Sequence, residues 1–175
     1  MTEVQSPSGV LLIDKPRGIT SHDVVSRLRR AFNMQRIGHA GTLDPDATGL
    51  LILCLGKATK LSMTLSEKDK TYRVGFLLGK ETDTYDSVGQ VLAERPVNAT
   101  REAVESVLQG FVGTQVQRPP IYSAVKVKGR KLYEYARAGK PVEIPTRHVT
   151  IHSIQLLRLE GAEGEIEVAC SKGTY

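Results

Sequence analysis

The segment that decides the fold is residues 38–55, GHAGTLDPDATGLLILCL. It joins a short acidic loop, residues 42–46, to an apolar run, residues 50–55, that is long enough for a fully buried strand. Pro45 fixes its own φ and disfavours the helical region for Asp44. The pattern therefore predicts that Asp44 lies on a rigid turn at the mouth of a buried strand.

The residues alone leave two interpretations of Asp44 open. An Asp before Pro is a common turn former, and its carboxylate often bonds the backbone two residues further on. A carboxylate held rigidly above a sheet is also a typical position for nucleophilic or acid–base chemistry. The first interpretation is purely structural, and the second makes Asp44 a candidate catalytic residue.

Composition indicates a globular protein of 175 residues, enough for one domain with a sizeable core. The net charge of +5 favours a polyanionic partner without requiring one. Cys54 and Cys170 lie in apolar, strand-like runs, which predicts buried thiols and a reducing compartment. The first residues lack the order of a signal peptide, and no apolar run approaches the roughly 20 residues of a membrane span. We therefore expect a cytoplasmic protein.

Strand and helix patterns alternate along the chain without a regular βαβ repeat. The predicted strands are residues 10–13, 50–55, 72–78, 88–94, 121–127, 148–159 and 164–170. Predicted helices follow Thr20, whose spacing to Asp23 fits a capping box, and Thr100, and shorter helices cover residues 58–65 and 132–138. This order predicts an α+β fold with a mixed or antiparallel sheet flanked by helices.

Nucleotide and metal motifs are missing. There is no G-x-G-x-x-G, and Gly56-Lys57-Ala58 lacks the earlier Gly and the Ser or Thr of a P-loop. His148 and His152 are four residues apart, but no Cys or carboxylate completes a zinc set nearby. We expect neither a metal nor a cofactor.

Four motifs together resemble the TruB family, the pseudouridine synthases that modify uridine 55 in the T-arm of tRNA. Residues 38–51 resemble the catalytic motif, and the likeness spans about residues 9–175. The other matches are residues 11–25 with the N-terminal motif, 70–74 with the second motif and 170–175 with the start of the third. The resemblance implies the α+β catalytic fold of that family.

The resemblance assigns roles to five residues. Asp44 matches the essential carboxylate, which would act as a nucleophile or abstract a ribose proton. Tyr72 matches the tyrosine that stacks on the target base and helps remove its C5 proton. His39 would pack against the RNA or make a structural bond, and Tyr175 would line the pocket. Lys15 would contact a phosphate or hold the structure.

An insertion at about residues 118–146 resembles the segment with which the family grips the T-stem and loop. Its basic residues are interleaved with tyrosines, which suits looped RNA because phosphates need cations and splayed bases need aromatic faces. The candidate RNA contacts are Arg118, Lys126, Arg130 and Arg137.

The sequence departs from the family pattern at the C-terminal end of the match. The family continues with Ile-Arg-Thr after the position of Tyr175, and that Arg is the expected partner of the Asp44 carboxylate. We expect residues 1–175 to be an incomplete catalytic domain that lacks the C-terminal RNA-binding module, folds at least partly and turns over little or no uridine. Lys15, Arg17 and Arg36 are the other candidate cations for Asp44.

The resemblance implies an enzyme that converts uridine 55 of tRNA to pseudouridine. The base would be flipped out, its glycosidic bond cleaved, and its C5 joined to C1′. Because this is an isomerisation, it needs no cofactor. The implied partner is tRNA, with no membrane and no protein partner, and we expect a monomer. The alternatives are a guide-RNA-dependent pseudouridine synthase, a tRNA-binding folding factor and a basic protein that binds no RNA; the insertion favours the tRNA enzyme over the guide-dependent one.

Overall fold

The computed structural model describes residues 7–123 and 125–175, which form two compact units. The first unit ends at Lys68 and the second begins at Asp69. Each unit has its own sheet with helices, and every described strand pair is antiparallel. The predicted α+β class is confirmed. The predicted boundaries of a single catalytic domain and of its insertion stay predictions.

The first unit is a three-stranded sheet packed on one helix. Its elements are β1 (Gly9–Lys15), α1 (Ser21–Ala31), β2 (Ile37–His39), β3 (Gly49–Leu55), a 3-10 helix (Gly56–Leu61) and α2 (Ser62–Ser66). The strand order is β1-β3-β2, so the strand that follows the Asp44 loop is the central one. Side chains of α1 and β3 form the core of this unit, with Val25, Leu51 and Leu53 among the most deeply buried. Asp44 therefore precedes the best-packed strand of the unit.

The alternating burial of side chains along β3 corrects the prediction that residues 50–55 form a fully buried strand. Leu51 is buried, whereas Leu50 is 61% exposed, because successive side chains of a strand point to opposite faces of the sheet. The run at residues 50–55 is therefore a central strand that is not buried at its first residue.

Helix α1 begins as predicted. The Thr20 hydroxyl accepts from the Asp23 backbone N–H at 3.0 Å, and the Asp23 carboxylate accepts from the Thr20 N–H at 2.8 Å. The same carboxylate accepts the Thr20 hydroxyl proton, which holds the pKa of Asp23 below its ordinary value. The complete capping box fixes where α1 starts, after the turn of residues 16–20 that follows β1.

The second unit is built on a four-stranded sheet in the order β4-β11-β10-β7. Its elements are β4 (Lys70–Leu77), β5 (Lys80–Thr82), β6 (Val91–Glu94), α3 (Arg101–Gln109), β7 (Gly113–Gln117), β8 (Lys126–Val127), β9 (Arg130–Lys131), α4 (Leu132–Arg137), β10 (Arg147–Glu160) and β11 (Glu163–Cys170). The strands β5 and β6 pair with each other, as do β8 and β9.

The sequence-based elements of this unit needed two corrections. The strand predicted at residues 121–127 exists only as Lys126–Val127, and the short strands β5, β7 and β9 were not predicted, nor was β2 of the first unit. Strands of two to five residues carry too little alternation to be recognised without their pairing partners. As predicted, Cys54 and Cys170 are buried free thiols.

Candidate functional site

The loop that carries Asp44 is anchored on its C-terminal side through the Pro45 carbonyl. This oxygen accepts from the Gly18 backbone N–H at 2.8 Å and from the Lys15 ammonium group at 3.1 Å. Gly18 has φ of 84°, a conformation that favours glycine. The turn after β1 is thus shaped to hold the residue next to Asp44.

Lys15 is a structural residue in this site. It is 0% exposed, and its ammonium group also donates to the carbonyls of Pro16 at 3.0 Å and Ile19 at 2.8 Å. Three acceptors use all three protons of an ammonium group. Of the two roles considered for Lys15, the geometry supports the structural one, because the ammonium group has no exposed surface for an RNA phosphate.

Ser21 anchors the loop on the other side of Asp44. Its hydroxyl donates to the Leu43 carbonyl at 3.1 Å and accepts from the Leu43 N–H at 3.0 Å, and the side chain is buried. Ser21 was not predicted from the sequence as a residue of the site. The available signal was that Thr20 already caps α1, which leaves the adjacent hydroxyl for another partner.

Asp44 itself is an exposed residue. Its backbone carbonyl accepts from the Ala47 N–H at 3.1 Å, which closes the predicted turn. Over residues 7–123 and 125–175, the carboxylate has no hydrogen bond and no ion pair. A carboxylate whose backbone neighbours are fixed on both sides, and whose oxygens are unoccupied, is open to a bound ligand.

The cations considered as partners of Asp44 are engaged elsewhere. Arg17 lies 3.6 Å from the carboxylate of Asp46, and Nε of Arg36 donates to the Thr59 hydroxyl at 3.1 Å. Lys15 is occupied by the carbonyls described above. None of the three neutralises Asp44 in this structure.

His39 ends β2 beside the loop. Its Nδ1 lies 2.5 Å from the Gly41 carbonyl, and because a carbonyl only accepts, Nδ1 carries the proton of this hydrogen bond. His39 also lines an open pocket of about 520 Å³ together with His22, Arg29 and Arg36. The structural bond considered for His39 is present, and the pocket beside it is basic.

Tyr72 lies on β4, at one edge of the four-stranded sheet, opposite Val168 of β11. It is 38% exposed. A tyrosine with more than a third of its surface exposed is not enclosed as a core aromatic would be, so it is accessible to a base.

Tyr175 is held by two side chains of the same sheet. Its backbone N–H donates to the Gln117 amide oxygen at 2.9 Å, and its carbonyl accepts from the Gln117 amide nitrogen at 2.6 Å. The Arg147 guanidinium carbon lies 4.9 Å from the centre of the Tyr175 ring. Neither Gln117 nor Arg147 was predicted from the sequence, because neither belongs to a motif.

The insertion forms a hairpin followed by a short helix. Strands β8 and β9 turn at Lys128 and Gly129, which have φ of 49° and 83°, the conformation of a two-residue type I′ turn. Lys131 and Arg137 each lie 5.3 Å from the centre of the Tyr133 ring. The predicted RNA contacts Arg118, Lys126, Arg130 and Arg137 are all exposed. Position 124 of this motif lies outside the described residues.

The predicted residues are divided between the two units. Asp44, His39 and Lys15 belong to the first unit, and Tyr72 and Tyr175 belong to the second, as does the insertion. Among the residues that the structure describes, no group of three or more His, Cys, Asp or Glu side chains is placed to hold a metal ion. In the same part of the chain, no helix has the length and apolar character to cross a membrane.

Comparison with known proteins gives matches along nearly the whole chain. A family model described as TruB family pseudouridylate synthase, N terminal domain, matches residues 29–175. The tRNA pseudouridine synthase B of Pectobacterium atrosepticum is 51% identical over 167 residues, which are 95% of this chain and 53% of the relative. That of Azoarcus sp. is 53% identical, over 95% of this chain and 56% of the relative. The chain thus spans about half the length of the curated relatives it matches.

Solved structures show the same fold. The crystal structure of a Cbf5–Nop10–Gar1 complex aligns with a TM-score of 0.70 and 29% identity, over 95% of this chain and 40% of the other. An H/ACA RNP bound to a substrate RNA containing 2′-deoxyuridine aligns with a TM-score of 0.68 and 26% identity, over 95% and 39% of the chains.

Proposed function

The chain belongs to the TruB family of pseudouridylate synthases, and from this premise we propose that it is an enzyme that isomerises uridine to pseudouridine in tRNA. The observation that carries the proposal is the Asp44 loop: an exposed carboxylate on a turn whose neighbours Leu43 and Pro45 are tied to buried Ser21 and Lys15. The family was predicted from the sequence, and the comparisons confirm it.

The specific substrate that we propose is uridine 55 in the loop of the T-arm. The enzyme flips the base from its stack, breaks the bond between N1 and C1′, turns the base and forms the bond between C5 and C1′. The C5 proton leaves and N1 gains a proton, so the product is an isomer of the substrate and no cofactor takes part. Asp44 acts first, either as a nucleophile or by abstracting a ribose proton.

Binding of the RNA is the proposed role of the remaining candidates. Tyr72 stacks on the flipped uracil and helps remove the C5 proton, while Tyr175 lines the pocket and His39 packs against the RNA. The exposed cations of the insertion contact phosphates, and the Tyr133 ring beside Lys131 and Arg137 offers an aromatic surface among them. We propose further that the protein works in the cytoplasm as a monomer, without a protein partner.

A direct assay tests this function. The full-length protein is incubated with unmodified tRNA and no guide RNA, and pseudouridine is mapped by chemical probing. We expect one modified uridine, at position 55, and none in a tRNA whose uridine at that position is replaced by cytidine. Modification at other uridines only would refute the proposed target, and no modification at all would refute the proposed activity.

A guide-RNA-dependent pseudouridine synthase is the second candidate, favoured by the likeness to the Cbf5 complexes. Sequence identity weighs against this candidate, because it is 29% to the Cbf5 chain and 51% to the tRNA pseudouridine synthase B of Pectobacterium atrosepticum. The same assay separates the two, because a guide-dependent enzyme leaves tRNA unmodified until a guide RNA is added. If the protein were instead a tRNA-binding folding factor, a variant without the Asp44 carboxylate would refold tRNA as fast as the wild type does.

A further inference from the structure

Arg147 differs from other arginines on the four-stranded sheet in what its side chain contacts. Arg73 lies 3.3 Å from the carboxylate of Glu167, and Arg158 lies 2.9 Å from that of Glu160. Arg147 makes no such pair with any residue that the structure describes. Its guanidinium group instead lies against the ring of Tyr175.

The Arg147 guanidinium group is also incompletely satisfied. Its Nε and Nη2 atoms are buried and have no hydrogen-bond partner within the described residues. Burying a charged donor without an acceptor lowers stability, and a contact with a ring face compensates the charge but not the in-plane N–H groups. Within the described residues, the contact that compensates its charge is therefore the one with the Tyr175 ring.

Side chains from two adjacent strands of the sheet, β10 and β7, contact Tyr175. Arg147 of β10 and Gln117 of β7 are direct cross-strand partners. Gln117 bonds both backbone groups of Tyr175, and Arg147 lies over its ring. Gly173 has φ of 76°, and a Cβ there would come within 2.7 Å of Nη1 of Arg147, so the guanidinium group lies close against this turn.

We propose that Arg147 is a positioning residue for the reaction: it sets the orientation of the Tyr175 ring against the target uridine, while Gln117 fixes the backbone of Tyr175. This inference rests on the proposed function and deepens it. Tyr175 is 55% exposed, so without these two contacts its ring is free to change rotamer. An oriented ring restricts the flipped base to the geometry in which it reacts. Arg147 acts through Tyr175 and does not itself touch the uridine.

A double-mutant cycle in the full chain tests the proposal. The variants are Arg147→Met, Tyr175→Leu and their combination, measured as single-turnover rates at saturating tRNA and as tRNA affinities. We expect Arg147→Met to lower the saturated rate by roughly tenfold or more, because misplacement of a reacting group is costly, with little change in affinity. In the Tyr175→Leu background the same change should add almost nothing. Arg147→Lys should restore part of the rate, because it keeps the cation but not the planar group.

Arg158→Met is the matched control, since Arg158 lies on the same strand and pairs with Glu160. It should leave rate and affinity unchanged. In protein with isotope-labelled tyrosine rings, Arg147→Met should shift the NMR resonances of Tyr175, and Arg158→Met should not. Rate losses that multiply in the double variant, or unchanged Tyr175 resonances, would overturn the positioning role while leaving the proposed function intact. A wild-type protein that forms no pseudouridine would refute the proposed function and this role with it.

Discussion

At the scale of single residues, Asp44 combines a fixed backbone with an open side chain. Ser21 bonds both backbone groups of Leu43 on one side, and Lys15 bonds the carbonyl of Pro45 on the other. The carboxylate between them has no partner in the described part of the chain. Such a carboxylate is held in one position and has no hydrogen bond or ion pair to break before it contacts a substrate. Catalysis requires this kind of preorganisation.

We predict that Asp44→Asn abolishes turnover and preserves tRNA binding. The substitution is nearly isosteric and removes only the ionised oxygen that attacks or abstracts a proton. Single-turnover rates and equilibrium binding of a T-arm hairpin measure the two effects separately. Asp46→Asn is the control, because Asp46 is an exposed carboxylate of the same loop. Equal rates for Asp44→Asn and the wild type would remove Asp44 from the mechanism.

For Tyr72 we predict different results from two substitutions. Tyr72→Ala should reduce turnover strongly, because base–aromatic stacking contributes about 1–3 kcal/mol. Tyr72→Phe keeps the ring and loses only what the hydroxyl does, so it should retain the affinity for the hairpin. Comparison of rates and affinities for the two variants checks this. Near-wild-type rates in both would leave Tyr72 as a structural residue of β4.

At the scale of elements, the end of β1, the start of α1 and the Asp44 loop form one hydrogen-bonded junction. The Lys15 ammonium group bonds carbonyls of both the β1–α1 turn and the loop. Capping of α1 by Thr20 fixes the position of Ser21, which completes the junction. The loop is therefore rigid because of the elements around it as well as because of its own proline.

We predict that Lys15→Met lowers the free energy of unfolding by about 1–3 kcal/mol, because it leaves buried carbonyls without a donor. Urea denaturation measures this loss. Lys57→Met, at an exposed lysine that follows β3, is the control and should change stability little. If Lys15 contacted a phosphate instead, the variant would keep its stability and bind RNA with a smaller salt dependence.

At the scale of the whole molecule, the insertion carries positive charge that is mostly exposed. The chain carries a net charge of +5, and several of its arginines and lysines elsewhere are paired with carboxylates. The cations of the insertion are mostly exposed, and the described residues give them no carboxylate partner. Unpaired cations attract phosphates most effectively, since no intramolecular ion pair has to be broken.

We predict that binding of a T-arm hairpin weakens steeply with salt, because each phosphate contact releases a counterion. Neutralising the five cations of the insertion should reduce the slope of log K against log salt by about 0.7–0.9 for each one that contacts a phosphate. These residues are Lys126, Lys128, Arg130, Lys131 and Arg137. The control neutralises the paired cations Lys80, Arg101 and Arg158, and should leave the slope nearly unchanged. A slope that the five substitutions do not alter would exclude the insertion as an RNA contact.

The sequence by itself determined the features that depend on neighbours in the chain. The turn at Asp44 follows from Pro45, the start of α1 from Thr20 and Asp23, and the central strand from the apolar run after the loop. The α+β class follows from the order of these patterns, and the family follows from the motifs that contain them. Local rules suffice here, because each depends on residues only a few positions apart.

Only the tertiary structure decided which groups the site relies on for support. Lys15 and Pro45 are 30 positions apart, Ser21 and Leu43 are 22 apart, and Gln117 and Tyr175 are 58 apart. A buried lysine and an exposed lysine look the same in a sequence, because the difference lies in the carbonyls that surround the ammonium group. The Arg147 contact likewise depends on the register of β10 against β7. Register is set by the packing of a whole sheet, and a shift of one residue would turn the guanidinium group to the opposite face.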